Sequence, residues 1–345
     1  MKRAVFILFL ALFFLPAWAA ENSQEEAKVG EQSDKIIRKI FGVYPDEKVQ
    51  NYVTSIGKKL LQSVETPDFE FKFTVLDDPM INAFAVPGGY VYVTRGMLAY
   101  MDSEAALAGI MGHEIGHVVG HHSYKQMQKS MGDTLLIIAG LGASVASGGG
   151  GTQAVAWVTA TSTLSQQNRL GYGRELELNA DEFGLIYAYD AGYDPGEQAK
   201  FFRMMQFKER VSGVQYHGFV ATHPDTLERI VKVGEKADIL RNRGNSTTVK
   251  RDEYMKVMAG LTYGKGDRET KTPPPYVLTI YTAKAGDTFR GIGKAVSGDE
   301  RLGFEIAVMN AMRENDAIPA GKMLKVPVPR PKQTESNLPK PEPKE

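Results

Sequence analysis

The chemistry this chain can do is concentrated in His113, Glu114 and His117, spaced as H-E-x-x-H. On a helix, residues four apart lie on one face, a turn from each other. Both imidazoles can therefore offer nitrogens to one tetrahedral metal ion, and Glu114 stands where its carboxylate reaches a water held there. Zinc brings the pKa of such a water down towards about 7. A neighbouring glutamate then takes its proton during attack on a peptide carbonyl and hands it to the leaving amine. The pentapeptide alone also fits surface histidines beside a solvated glutamate. Its setting argues otherwise, because Ala105 to Gly112 is a run of small and apolar residues. A helix of that composition reads as buried, and buried imidazoles and carboxylates need partners.

The third ligand separates classes of zinc peptidase. The metzincin pattern H-E-x-x-H-x-x-G-x-x-H finds Gly120 at its glycine but Ser123 at its last histidine. His121 and His122 have the wrong spacing for that turn and read as C-terminal helix histidines, favourable near the negative dipole end. The other source is a carboxylate from a second helix, and Arg174 to Asp181 offers Glu175, Glu177 and Asp181. Glu177 and Asp181 share a face, so one can bind metal while the other orients a histidine ring. Spacing does not choose among the three, and charged pairs on an ordinary amphipathic helix fit the same pattern.

These residues need elements to hold them. Ser103 reads as an N-cap for a helix from about Glu104 to His121. A second helix spans Glu175 to Ala191, Pro195 opens a third, and Leu227 to Leu240 forms a fourth. Upstream, Ser33–Phe41 and Asp46–Val64 carry helical periodicity, whereas Glu21–Gln32 is polar and reads as frayed. Phe69 to Leu76 alternates as a strand, and Ala83 to Thr94 reads as strand, turn and strand around Pro87-Gly88-Gly89. Residues 131–165 hold short apolar pieces broken by Gly148–Gly151, consistent with a lid over the site or with a core hairpin.

With these elements in order, the chain resembles the zinc peptidases of the HtpX and CAAX-prenyl-protease type, especially their soluble periplasmic members. The motifs are Asn82-Ala83-Phe84-Ala85-Val86-Pro87-Gly88-Gly89, His113-Glu114-Ile115-Gly116-His117, Glu177-Leu178-Asn179-Ala180-Asp181, Ala191-Gly192-Tyr193-Asp194-Pro195, and Thr222-His223-Pro224 with Arg229. The likeness runs from about Val29 to Leu240. It implies that Glu177 is the third zinc ligand and that Asp181 supports the ligand histidines. It also implies that residues Asn82, Ala83, Phe84 and Ala85 lie beside the cleft and pair with an extended substrate. Gly173-Arg174 stands where many relatives carry Ser-Arg. His223 reads as a donor to the tetrahedral oxyanion, as a reversible fourth zinc ligand that closes the site, or as a histidine stabilising a helix start. Arg229 donates likewise or pins its loop.

Tyr281 to Val326 resembles a LysM module, a small β-α-α-β peptidoglycan-binding fold. The matching residues are Ala285-Gly286-Asp287-Thr288-Phe289, Ile292, Val308-Met309-Asn310 and Ile318 to Pro327. The resemblance implies attachment to cell-wall glycan; a small domain that only packs on the peptidase fits the same residues.

The chain has 345 residues, with 41 basic and 41 acidic side chains and no cysteine. A balanced charge gives no reason to expect a nucleic-acid partner. Without cysteine there is neither a disulfide framework nor a lipoprotein anchor. Lys2-Arg3, the apolar run Ala4–Leu15, Pro16 and Ala17-Trp18-Ala19 read as a signal peptide cleaved near Ala19 or Ala20, which points to a bacterial periplasm. The expected organisation is a signal peptide (1–20), a metallopeptidase domain (21–263), a proline-rich linker (264–275), a LysM-like module (276–328) and a disordered tail (329–345). The expected fold is α+β, a mainly α-helical gluzincin-like metallopeptidase with a small antiparallel sheet, and the expected cofactor is one Zn²⁺ per chain. The expected function is zinc-dependent cleavage of envelope proteins in quality control. The competing class is a latent or non-catalytic peptidoglycan-binding or chaperone-like protein with a closed zinc site; a metzincin with unusual ligands is a third.

Overall fold

The computed structural model describes residues 23–64, 70–124, 172–212, 219, 223, 227–267, 270 and 272–330. The signal-peptide reading, the proposed lid at 131–165 and all but the first two residues of the expected tail lie outside them. The described residues are mainly helical, with two three-stranded sheets. No helix among them is long and apolar enough to cross a membrane.

Helix α1 spans residues 23–41. Residues 23–32 are thus helical, where polarity alone suggested fraying. Tertiary partners supply the reason: Tyr124 donates to Glu25 at 2.9 Å and Glu26 is buried against His121 at 2.7 Å. Helix α2 (Glu47–Leu61) is capped by Asp46, which accepts from the backbone of Lys48 and Val49, and it buries Val49, Val53, Ile56 and Leu60.

Strands β1 (Lys72–Leu76), β2 (Ala83–Val86) and β3 (Tyr90–Thr94) form a sheet in the order β1-β3-β2. The β2–β3 hairpin is antiparallel, as its turn residues predict, with Gly88 and Gly89 at positive φ. β1 runs parallel to β3, so this sheet is mixed. Among the described residues β2 is an edge of this sheet. One face of the sheet carries Ile37 of α1 against Leu76, Phe84, Tyr90 and Tyr92. Val75, Ala83, Val91 and Val93 belong to the main core with the helices.

After the short helix α3 (Arg95–Tyr100), Ser103 caps α4 (Glu104–Val119) by accepting from Ala106 at 3.1 Å. α4 is buried from Glu104 to Val118. It packs among α5 (Tyr172–Asp190), α6 (Gly196–Ser212), β2 and α2, and α7 (Leu227–Arg241) closes over α5 and α6. Helix α8 (Arg251–Met258), which sequence periodicity did not flag, buries Tyr254, Met255 and Met258.

The C-terminal segment has strands β5 (Tyr276–Thr282) and β6 (Met323–Pro329) paired antiparallel, with α9 (Phe289–Ile292) and α10 (Gly303–Met309) between them. This is the β-α-α-β order read from the sequence. It has its own small core of Ala283, Phe289, Ile292, Ile306, Ala307, Ile318, Leu324 and Val326. It is also firmly docked. Strand β4 (Thr262–Tyr263) pairs with β5. Lys208 of α6 reaches Glu305 of α10 at 2.6 Å. Lys325, fully buried, donates to the carbonyls of Ala99 and Met101 just before α4. Burial brings the Lys325 ammonium down to about 7.

Candidate metal centre

The site is made by two helices touching backbone to backbone. A Cβ on Gly184 would sit 2.6 Å from the His113 nitrogen, and one on Gly112 would sit 2.8 Å from the Gly184 carbonyl oxygen. Neither position tolerates a side chain, so α4 and α5 approach more closely than larger residues would allow. The faces carrying His113 and His117, and Glu177 and Asp181, are thereby brought together.

His113 Nε2 lies 3.1 Å from His117 Nε2, 3.2 Å from His223 Nδ1 and 3.5 Å from Glu177 Oε2. Glu177 Oε1 is 3.3 Å from His117 Nε2, and Oε2 is 3.0 Å from His223 Nδ1. Four potential ligand atoms, one each from His113, His117, Glu177 and His223, lie within 4.8 Å of one another, and all four residues are buried. Tetrahedral zinc, with bonds of roughly 2.0–2.1 Å to nitrogen and oxygen, requires ligand atoms about 3.3 Å apart. The close pairs straddle that value at 3.0–3.5 Å. Ring nitrogens aimed at each other also repel unless a proton or cation lies between them. The residues present fit a metal ion of this kind.

Each candidate ligand has a group behind it. His113 Nδ1 faces Asp181 Oδ1 at 2.9 Å. His117 Nδ1 faces His122 Nδ1 at 3.0 Å. Arg229 of α7, 1% exposed, donates to both Asp181 oxygens at 2.7 and 2.8 Å and lies 3.0 Å from Glu177 Oε2. It is committed to these carboxylates and pins α7 to the ligand helix. Glu114 is 1% exposed, and neither of its oxygens has a hydrogen-bond partner among the described residues. Across from it stands His223 Nε2 at 3.5 Å.

The electrostatics follow from this packing. Burial alone would push the Glu177 carboxyl up, but His223, Arg229 and His117 override it and hold it well below the usual carboxylate range. Burial acts likewise on Asp181, and Arg229 and His113 again outweigh it and lower it. On Glu114 burial outweighs the lowering pull of His113, His117 and Arg229 and raises it. Burial also lowers His117 and His223. His113 is the exception. The carboxylates of Asp181 and Glu177 outweigh burial and raise it to about 10.

Of the residues singled out from sequence, His113, Glu114, His117, Glu177, Asp181, His223 and Arg229 all converge here, whereas Glu175 is exposed. Asn82 and Ala83 are buried at the start of edge strand β2, and Phe84 and Ala85 continue it. The Ile81 carbonyl accepts from the backbone of Phe219 at 2.9 Å. The Phe219 ring stacks on His223 at 4.8 Å and lies near Phe201, Phe202 and His113. Sequence reasoning missed Phe219, and it set His122 aside as a dipole partner. Periodicity does not see a residue that folds back past a helix end.

The chain matches Peptidase family M48 over residues 47–237, more than half of its length. It is 30% identical over 214 residues to a putative beta-barrel assembly-enhancing protease of Vibrio cholerae, an alignment covering 62% of this chain and 44% of that protein. It is 26% identical over 215 residues to the beta-barrel assembly-enhancing protease of Escherichia coli K12, covering 61% of this chain and 44% of that one. A mitochondrial metalloendopeptidase of Schizosaccharomyces pombe is 28% identical over 184 residues, covering 53% of this chain and 52% of the yeast protein. The chain thus spans about half or less of the length of these curated relatives.

Proposed function

Because the chain belongs to peptidase family M48, we propose that it is a zinc-dependent endopeptidase of the bacterial cell envelope. His113, His117 and Glu177 would hold the ion, one per chain, in the manner of a gluzincin. When bound, zinc supplies a Lewis acid that polarises a peptide carbonyl and makes water acidic near neutral pH. The protein's part is proton handling and positioning. Glu114 is buried without a hydrogen-bond partner among the described residues, and burial raises its carboxyl, so it can take a proton and return it to the leaving amine. Asp181 and Arg229 fix the ligand helix. Edge strand β2 offers its backbone to an extended substrate across residues 82–85.

The observation that carries this reading is the convergence of three imidazoles and one carboxylate on a single point beside an unpartnered glutamate. Its test is Glu114→Gln in the purified chain. The expected result is retained zinc with casein cleavage reduced about 10²–10⁴-fold. Unchanged cleavage would refute it.

One contact favours a latent state of the same enzyme. His223 turns Nδ1, not Nε2, towards the ligand atoms, and its Nε2 faces Glu114. Its Nδ1 completes a set of four candidate ligand atoms, so the arrangement reads as closed, with His223 as a reversible fourth ligand. In an open state the same imidazole is free to donate to an oxyanion. Replacing His223 with Ala is expected to raise basal cleavage if it acts as a gate and to lower it if it acts only as a donor.

The envelope setting is supported by the leader-like first 20 residues and the absence of cysteine, and by relatives named for β-barrel assembly. The substrates proposed are misfolded or unassembled envelope proteins, and the C-terminal module is proposed to bind peptidoglycan as LysM domains do. Co-sedimentation with purified sacculi, compared between the full chain and one ending before Tyr276, tests that module. The likeness to HtpX and CAAX-prenyl proteases is proposed to extend to mechanism, not to a prenylated substrate.

A further inference from the structure

We propose that His122 is a positioning residue that fixes the tautomer and ring orientation of His117. The inference rests on the metal site proposed above and adds to it a residue outside the ligand set.

The two nitrogens of His117 face opposite ways. Nε2 points at the other ligands, 3.1 Å from His113 Nε2 and 3.3 Å from Glu177 Oε1. To offer a lone pair there, the ring must carry its proton on Nδ1. Nδ1 lies 3.0 Å from His122 Nδ1, with the two rings edge to face at 82°. His117 therefore donates and His122 accepts, which leaves the His122 proton on Nε2. Behind His113 stands a carboxylate, with Asp181 Oδ1 2.9 Å from Nδ1. The two histidines thus have different groups behind them, a carboxylate for His113 and an imidazole for His117.

The chain is shaped to deliver His122. Gly120 ends α4 at φ −73° and ψ −5°, a conformation open to any residue. Its lack of a side chain matters for another reason: a Cβ there would lie 2.3 Å from His122 Nε2 and 2.6 Å from Cδ2. His121 then takes a φ of 52°, in the left-handed region, and returns the chain so that His122 lies 4% exposed beneath the helix. That turn is tied to α1 through His121 and Glu26 at 2.7 Å.

The test is zinc affinity by chelator competition on the purified full chain, together with the thermal midpoint of the metal-free protein. His122→Phe keeps a ring and loses the acceptor. His122→Asn sets a carbonyl oxygen near the lost nitrogen. Gly120→Ala leaves His122 intact and displaces its ring. Expected are a roughly 10–100-fold loss of affinity for His122→Phe and Gly120→Ala, substantial rescue by Asn, and no added loss in the Phe/Ala double variant. The metal-free midpoint of His122→Asn should stay close to that of the unaltered chain, whereas Gly120→Ala should lower it through overpacking. Wild-type affinity in His122→Phe overturns the inference alone, as does an Asn variant no better than Phe. An unaltered chain that binds no zinc overturns the metal site with it.

Discussion

Replacing Arg229 with Met tests how the ligand helix is held. The guanidinium makes two short bonds to Asp181 and faces Glu177 at 3.0 Å, and all three side chains are buried. Methionine keeps the stem and removes the charge, leaving two carboxylates in a dry site with one cation fewer. Breaking a buried pair in this way costs about 3–5 kcal/mol. At roughly 2–4 °C per kcal/mol for a domain of this class, the midpoint of the metal-free chain should fall by about 6–20 °C. The sign with pH is fixed by the two carboxylates. Both are held below their usual range in the fold, so their contribution is complete above unfolded values of about 4 and fades as pH falls through the folded ones. The deficit of the variant should therefore be full at neutral pH and shrink in acid. Differential scanning calorimetry of the chelated protein from neutral pH into acid measures it. A midpoint within the error of the unaltered chain at neutral pH would refute the reasoning, as would a deficit that does not change with pH.

Three further outcomes follow. His113 is raised to about 10 in the metal-free chain, so zinc binding at mildly alkaline pH should release about one proton from it; titration calorimetry in buffers of different ionisation enthalpy should detect it, and no buffer dependence would argue against it. Lys325, brought down to about 7 by burial, leaves the unfolded chain holding a proton that the fold lacks; stability should therefore rise from neutral pH towards the ordinary lysine value, by at most roughly 4 kcal/mol relative to Lys325→Met, and parallel denaturation curves for the two chains would contradict it. Gly184→Ala drives a methyl to 2.6 Å from the His113 backbone nitrogen; the overpacking should cost about 1–3 kcal/mol and weaken zinc binding, and an unaltered affinity would mean that helix contact does not set the ligand spacing.

Much of the site was legible because helices turn spacing into geometry. His113 and His117 stand four positions apart, as do Glu177 and Asp181, so each pair had to share a face. What spacing could not give was the contact between those faces. Choosing Glu177 over Glu175 rested on resemblance until the fold buried one and exposed the other. The Gly112–Gly184 contact has no periodic signal, since a glycine in a helix reads only as a weak position. The contact of His122 with His117 was not legible because helix periodicity stops at Gly120, and the left-handed residue after it sends the chain back. The same limit applies to residues 23–32, whose polar composition hid partners about a hundred residues away, Tyr124 and His121. In the C-terminal segment the β-α-α-β order was readable, but the docking through Lys208, Glu305 and Lys325 was not, because an isolated lysine looks the same buried or exposed.

Zinc affinity measured side by side for the unaltered chain, Glu177→Gln and Glu114→Gln reaches the centre of the account. It predicts tight stoichiometric binding in the unaltered chain and in Glu114→Gln, and a loss of at least about tenfold in Glu177→Gln, whose carboxylate touches all three histidines. Full affinity in Glu177→Gln would contradict it.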